Sequence, residues 1–336
     1  MAGKNGARTA KTVAIFDIDD LLYISDEALA IAWNKAVAFL SKALNADPAQ
    51  LGNEIGGYLS HRRTSEWIYV IREMAKTPAS SIYEAPAPIL NQAIAIFEQS
   101  HIEESTDIPG SREAMQALHE RGVLIIGMTN TQAAPSVWKL KAKNFDGLIH
   151  HHYTARTCDT SHAGRWPCWG GQGGFRHTQL VELPVYGELK PCAPLLRKLL
   201  NHYGVDPVQA VFFGNSWRSD GATAIGAGVD YVHCQNYYRD CELVTNWGSV
   251  FTPYYVEGGD LPGRWQPPFP RDMILEQAHR VEDCLQALGL FTFGAHQGVK
   301  TPWRGKMDPL HSTAEIRIHG QAQRAALEGR KSALAR

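Results

Sequence analysis

Residues 12–22, TVAIFDIDDLL, constrain the fold more than any other stretch of the chain. Val13 to Phe16 form an unbroken apolar run that leads directly into Asp17, Asp19 and Asp20. A short apolar run with β-branched and aromatic residues predicts a strand buried on both faces, as in a parallel sheet. Open α/β sheets bind ligands outside the carboxyl ends of such strands, so the three acids fall where chemistry is expected. Two carboxylates at i and i+2 suit divided labour. One can attack a phosphoryl group or hold a cation, and the other can move a proton at the reacting oxygen. A strand ending in a solvated acidic turn is the plainer alternative, and this segment alone does not separate the two.

The composition is that of a globular protein: 336 residues, 44% hydrophobic, 20% charged, formal net charge −1. That size predicts one sizeable core with one or two smaller units. The balanced charge excludes nucleic-acid binding by bulk attraction and leaves only a local patch for it. No apolar run reaches the roughly 18 residues needed to span a membrane. The basic start MAGKNGARTAK precedes an apolar run too short for a signal-peptide core, so a cytoplasmic location is expected. Six cysteines in a chain of this length do not form a disulfide framework and suit a reducing compartment. No sequence feature fixes an oligomeric state.

Residues 23–106 read as helical. Ser25 or Asp26 caps a helix whose Leu29, Trp33, Val37, Leu40 and Leu44 line one face, and Asn45 to Pro48 ends it. A second helix is expected to contain Trp67, Ile68 and Ile71, and a third to carry Leu90, Ile94 and Phe97. Three helices between two strands exceed a simple crossover, which predicts a separate helical lid. Arg62 and Arg63, within a basic stretch, read either as a solvated face or as contacts to an anionic substrate.

A second buried strand is predicted over Val123 to Met128, ending in Thr129, Asn130 and Thr131. A hydroxyl there can donate to a phosphate oxygen, whereas a plain Thr-Asn turn is the alternative. A third short strand falls within 146–153. Cys158, His162, Cys168 and His177 lie in an irregular stretch whose spacings match no strong zinc signature, so buried thiols in a loop are the expectation. Lys190 stands beside Pro191 at the start of a helix through Leu195 and Leu199. A fourth strand over Val211 to Phe213 precedes GNSWRSD, with Asn215 and Asp220, and a fifth is expected at Tyr231 to Gln235. Residues 247–271 are rich in Pro, Gly and aromatics and read as ordered loop. One helix is predicted after Asp272, with Ile274, Ala278, Val281, Leu285 and Leu288 on a stripe and Gly289 as its stop. The polar tail from Thr301 carries scattered arginines and reads as disorder or a loosely attached helix.

In combination, DIDDLL (Asp17 to Leu22), the strand ending at Thr129, Lys190-Pro191 and GNSWRSD (Gly214 to Asp220) resemble the haloacid dehalogenase (HAD) superfamily. The order and spacing of the four segments carry the resemblance, which spans roughly residues 12–235. It implies an α/β fold: a HAD-like Rossmannoid three-layer α/β/α core over 1–22 and 107–250, a helical C1-type cap over 23–106 inserted after the first strand, and a C-terminal extension over 251–336. It also implies a phosphohydrolase that forms an aspartyl-phosphate on Asp17, with Asp19 as acid and base and Thr129 and Lys190 on the phosphoryl oxygens. Mg²⁺ would sit among Asp17, the Asp19 carbonyl, Asn215 and Asp220, and Asn130, Arg62 and Arg63 would meet a small phosphorylated substrate.

Leu21 departs from the family pattern slightly. Asn215 departs more, because it stands where the family carries an acid and contributes no charge to a cation. The namesake dehalogenases lack an acid at the Asp19 position, so Asp19 favours phosphate ester chemistry over carbon–halogen cleavage. Two further readings stay open. One is a catalytically weakened scaffold with a binding or regulatory role, favoured by Asn215 and the extra segments. The other is a phosphatase for nucleotides or nucleic-acid ends, resting on the basic C-terminal tail.

Overall fold

The computed structural model describes residues 9–62, 65–155, 175–183, 190–234 and 270–302. Among these, seven strands form one parallel sheet in the order β4-β3-β2-β1-β5-β6-β7. The strands are β1 (Val13–Phe16), β2 (Leu124–Gln132), β3 (His151–Ala155), β4 (Gln179–Leu183), β5 (Ala210–Gly214), β6 (Asp230–Cys234) and β7 (His279–Val281). β1 lies at the centre, with Phe16 opposite Gly127 of β2 and Phe213 of β5. Its four residues are wholly buried. That burial on both faces is why the run is continuously apolar rather than alternating.

The pleat of β1 divides the core into two layers. Val13 and Ile15 pack with α7 (Ala193–Tyr203) and α8 (Ala222–Ala227). Ala14 and Phe16 pack on the opposite face with α5 (Ser111–Glu120) and α6 (Ala133–Ala142). The Phe16 and Phe213 rings stack at 4.5 Å between centroids. The outcome is a three-layer α/β/α sandwich.

Between β1 and β2 the chain forms α1 (Asp26–Leu44), α2 (Pro48–Arg62), α3 (Val70–Met74) and α4 (Ala87–Glu104). These helices share a core of their own, drawn from residues 29–97, in which Trp33 meets the Phe97 ring edge-on at 4.8 Å. Entry and exit of this insertion run side by side: Ile24 N–H donates to Thr106 O at 2.8 Å and Ile108 N–H to Leu22 O at 3.0 Å.

Several expectations are corrected. Pro48 does end the first helical pattern, but it also opens α2, since a proline loses nothing at a first helical position. Trp67 and Ile68 then lie in the turn ahead of the short α3 rather than within a helix. The stripe expected from Ile274 to Leu288 is not one helix. It breaks into α9 (Arg271–Gln277), strand β7 and α10 (Cys284–Ala287). The edge of β6 offers unpaired backbone groups, and pairing Val232 to Cys234 with His279 to Val281 satisfies them. β4 was not foreseen, and it pairs along its whole length with β3. Asn236, most of 247–271 and the tail beyond residue 302 lie outside the described residues. No helix among the described residues is long and apolar enough to cross a membrane.

Candidate active site

The carboxyl ends of β1, β2 and β5 bring Asp17, Thr129 and the turn carrying Asp220 to one edge of the sheet. Asp17 directly follows β1; its N–H donates to Phe213 O at 2.9 Å, and Ile18 N–H donates to its Oδ1 at 2.7 Å. The next acids turn the chain out of the sheet. Asp20 adopts a left-handed conformation (φ 56°), which a short polar side chain tolerates. Its Oδ1 accepts from Ser25 N–H at 2.8 Å and Asp26 N–H at 3.2 Å, so Asp20 caps α1 from a distance.

Lys190 is buried between two carboxylates, its Nζ 2.5 Å from Asp17 Oδ1 and 2.7 Å from Asp220 Oδ1. Its backbone is clamped to β2 by Asn130: Lys190 N–H donates to Asn130 Oδ1 at 2.7 Å, and Asn130 Nδ2 donates back to Lys190 O at 3.0 Å. Asn130, expected at the substrate, is therefore engaged in orienting Lys190. Asp220 is fully buried in a single π-helical turn (Trp217–Gly221), where Ser216 N–H and Ser219 Oγ also donate to it. A Cβ at residue 214 would lie 2.4 Å from Asp220 Oδ2, so the strand can end beside this carboxylate only as Gly214. Burial, then the Asp220 charge, push the Asp17 carboxyl well above the ordinary carboxylate range despite the opposing pull of Lys190. One ammonium does not offset two buried carboxylates.

Asp19 meets a different set of partners. Its Oδ2 accepts from Thr131 Oγ1 at 2.7 Å and from Thr129 Oγ1 at 3.4 Å. Its Oδ1 lies 2.5 Å from the Nζ of Lys139 on α6, and that Nζ also lies 2.6 Å from Glu66 Oε1 and 3.3 Å from Ser25 Oγ. Burial would raise the Asp19 carboxyl, but Lys139, helped by Thr131 and Ser25, holds it well below the usual range. Glu66, buried and facing the Asp19 charge, is pushed up to about 7 against the pull of Lys139.

Lys139 and Glu66 are functional candidates that the sequence reading missed. A lysine within a helix reads as a solvated residue. The available signal was spacing, because Lys139 lies three residues from Ser136 and next to Leu140, both on the buried face of α6. Arg63 and the side chain of Arg62 lie outside the described residues, as do Cys158, His162 and Cys168; His177 is exposed. Among the described residues no group of three or more His, Cys, Asp or Glu side chains gathers as a metal site.

The donors at the sheet edge nonetheless fit a hard divalent cation. Asp17 and Asp220 supply carboxylate oxygens on either side of a single ammonium, that of Lys190. Asn215, directly after β5, is partly buried and lies five residues before Asp220. Two carboxylates with neutral oxygens and water are a donor set that Mg²⁺ accepts.

A family model described as haloacid dehalogenase-like hydrolase matches residues 11–228. No curated protein matches the chain. Among solved structures, the chain is similar to a haloacid dehalogenase-like family hydrolase from Xanthomonas campestris, at 16% identity over 70% of this chain and 88% of that one, with a TM-score of 0.41. It is also similar to a subfamily IA hydrolase from Geobacter sulfurreducens, at 17% identity over 85% of this chain and 99% of that one, with a TM-score of 0.42. A third is a hydrolase from Deinococcus radiodurans with bound phosphate and sodium, at 19% identity over 85% of this chain and all 100% of that one, with a TM-score of 0.42.

Proposed function

The chain belongs to the haloacid dehalogenase-like hydrolase family, and from that premise we propose that it is a phosphohydrolase acting on a small phosphate monoester through an aspartyl-phosphate on Asp17. The observation that carries this reading is Asp17 at the end of the central strand, with Lys190 bridging it to the buried Asp220. An Asp17 oxygen attacks phosphorus and the ester oxygen leaves with its electron pair. Water then attacks the same phosphorus, the acyl-phosphate P–O bond breaks, and inorganic phosphate departs. Lys190, itself held in its charged form by the two carboxylates, offsets phosphoryl charge in both halves.

Thr129, in the C-terminal half of β2 with its hydroxyl 3.4 Å from Asp19 Oδ2, would donate to a phosphoryl oxygen. Asp19 is held ionised, which is the form that takes a proton from attacking water. The same charge state slows protonation of a leaving alkoxide, so esters with acidic leaving groups are favoured. Asp17, Asp220, Asn215 and the Asp19 carbonyl would hold Mg²⁺, which supplies charge neutralisation at the transferring phosphoryl group.

The test is a panel of phosphate monoesters, with and without Mg²⁺, on the full chain and on Asp17→Asn. Phosphate release is expected only with Mg²⁺, fastest with p-nitrophenyl phosphate, and abolished in the variant. Release that persists in folded Asp17→Asn would remove the covalent role. Asn215 favours a second reading, a scaffold with weak cation affinity and little turnover, which the same panel would show as no release while calorimetric titration of inorganic phosphate shows binding.

A further inference from the structure

A buried ammonium is costly, and replacing buried ion triads by apolar residues is often neutral or stabilising, so fold stability alone does not account for Lys139. Its Nζ is fully buried, and its three polar partners come from three separate segments: Asp19 after β1, Ser25 at the start of α1, and Glu66 in the turn before α3. The two ends of this bridge are anchored differently. Lys139 is mounted on the core through α6, where the neighbouring Ser136 Oγ meets buried His152 Nε2 at 2.7 Å. Glu66 is mounted on the insertion. The preceding residue, Ser65, accepts from Trp33 Nε1 at 2.8 Å through its carbonyl, and the following Trp67 is buried in the insertion's own core. Asp19 is gripped at both oxygens, by Lys139 on one and by Thr131 on the other.

We infer that Lys139 is a positioning residue that ties the helical insertion, through Glu66, to the Asp19 carboxylate, fixing both the orientation of that carboxylate and the seat of the insertion against the site. The inference rests on the phosphohydrolase reading for its effect on turnover, and on geometry alone for the tie. When Glu66 withdraws with the insertion, Lys139 loses one of its two carboxylates and Asp19 keeps the other contact. When the insertion seats, Lys139 is drawn between both. The seated arrangement thereby fixes where the Lys139 ammonium presents to Asp19, a role for Lys139 distinct from contact with substrate.

The experiment combines amide hydrogen exchange on the full chain without substrate and steady-state turnover of p-nitrophenyl phosphate. The variants are Glu66→Gln, Lys139→Met and the double variant. Lys139→Met is expected to raise exchange at residues 20–26 and 65–74 and to lower kcat roughly a hundredfold, the scale of a misplaced catalytic group. KM should stay within about threefold, because the lost interaction is orientation rather than substrate binding. Glu66→Gln should raise exchange at 65–74 only and lower kcat less. The double variant should match Lys139→Met, since one tie cannot be broken twice. Unchanged exchange at 65–74 in Glu66→Gln overturns the inference even if Lys139→Met does not fold. So does a double variant whose effects are the sum of the singles. If the parent hydrolyses no ester, the proposed function falls while the exchange measurements still decide the tie.

Discussion

Two buried lysines each sit between two carboxylates at the same sheet edge, and the surroundings give the two clusters opposite properties. Lys190 joins Asp17 and Asp220, both carried by core strands or the turns that follow them. There the charge of Asp17 is under-compensated and its carboxyl is raised by burial and by Asp220. Lys139 joins Asp19 to Glu66, one from the core and one from the insertion. There hydroxyls supplement the ammonium, Asp19 is held ionised, and the surplus charge is carried by Glu66 at a raised affinity for protons. The deficit at the Lys190 cluster is one that a bound cation would fill. At the Lys139 cluster a proton on Glu66 relieves the surplus instead.

The largest expected difference comes from removing each lysine. Lys190→Met strands two buried carboxylates and should cost about 3–5 kcal/mol of stability. Mg²⁺ should restore part of that loss beyond what it adds to the parent, because a cation bound only by the native state stabilises by about 2.7 kcal/mol at a hundredfold excess over its Kd. Lys139→Met should cost less, since Thr131 still donates to Asp19 and Glu66 can protonate, and Mg²⁺ should add no more than it does in the parent. Urea unfolding with and without Mg²⁺ measures both. Equal rescue of the two variants would erase the distinction between the clusters.

The legibility of these clusters in the sequence divides along the same line. Asp17, Thr129, Lys190 and Asp220 each adjoin a buried strand or the helix after it, and continuous apolar runs such as VAIF and VLIIGM mark those strands without ambiguity. The parallel sheet and the family were readable for the same reason. Lys139 and Glu66 have no such marker. Their meeting depends on how the turn before α3 packs on Trp33, a tertiary contact that no periodicity encodes. β7 was hidden because three residues, His279 to Val281, fit a helical stripe as well as a strand, and the exposed edge of β6 decided between them. Asn130 was legible as following the apolar run of the second strand but not as the clamp on the Lys190 backbone, which requires the segment before α7 to lie against β2.

A second contrast is in pH response, and His101 exposes it. This residue of α4 is buried against Phe97 and Trp138, and neither ring nitrogen has a partner among the described residues. Burial, then the Lys139 charge, depress its imidazolium to about 3. Below its unfolded value near 6.5, the unfolded chain takes a proton that the native state refuses, so stability falls as pH drops from about 6.5 toward 3. Glu66 acts in the opposite sense: its folded affinity near 7 gives stability that is present below its unfolded value and is lost as pH rises toward 7. Comparing the parent with His101→Leu isolates the histidine. Between pH 8 and pH 5 the parent should lose about 2 kcal/mol more than the variant. Parallel stability curves would show that His101 takes up its proton as readily in the folded chain as in the unfolded one.

The smallest expected effect tests whether the Lys190 cluster is short of negative ligands or merely short of a cation. Asn215 follows β5 directly, in the turn that leads to Asp220. Asn215→Asp adds a negative charge at, or one water away from, the expected cation. At an effective dielectric near 20, unit charges about 4 Å apart interact by on the order of 4 kcal/mol, and a divalent ion doubles that before desolvation. Repulsion from Asp17 and Asp220 removes much of the gain, because both already share one lysine. A net improvement of about 1 to 2 kcal/mol remains, equal to roughly ten- to thirtyfold in Mg²⁺ affinity. Calorimetric titration of Mg²⁺ into parent and variant gives the number directly, and activity at limiting Mg²⁺ should rise or stay level with it. An unchanged affinity would mean that residue 215 does not face the cation, and that Asp17 and Asp220 alone set the charge of the site. Tighter binding with turnover appearing only in the variant would identify the natural chain as a scaffold whose missing carboxylate at position 215 is what separates it from an active phosphohydrolase.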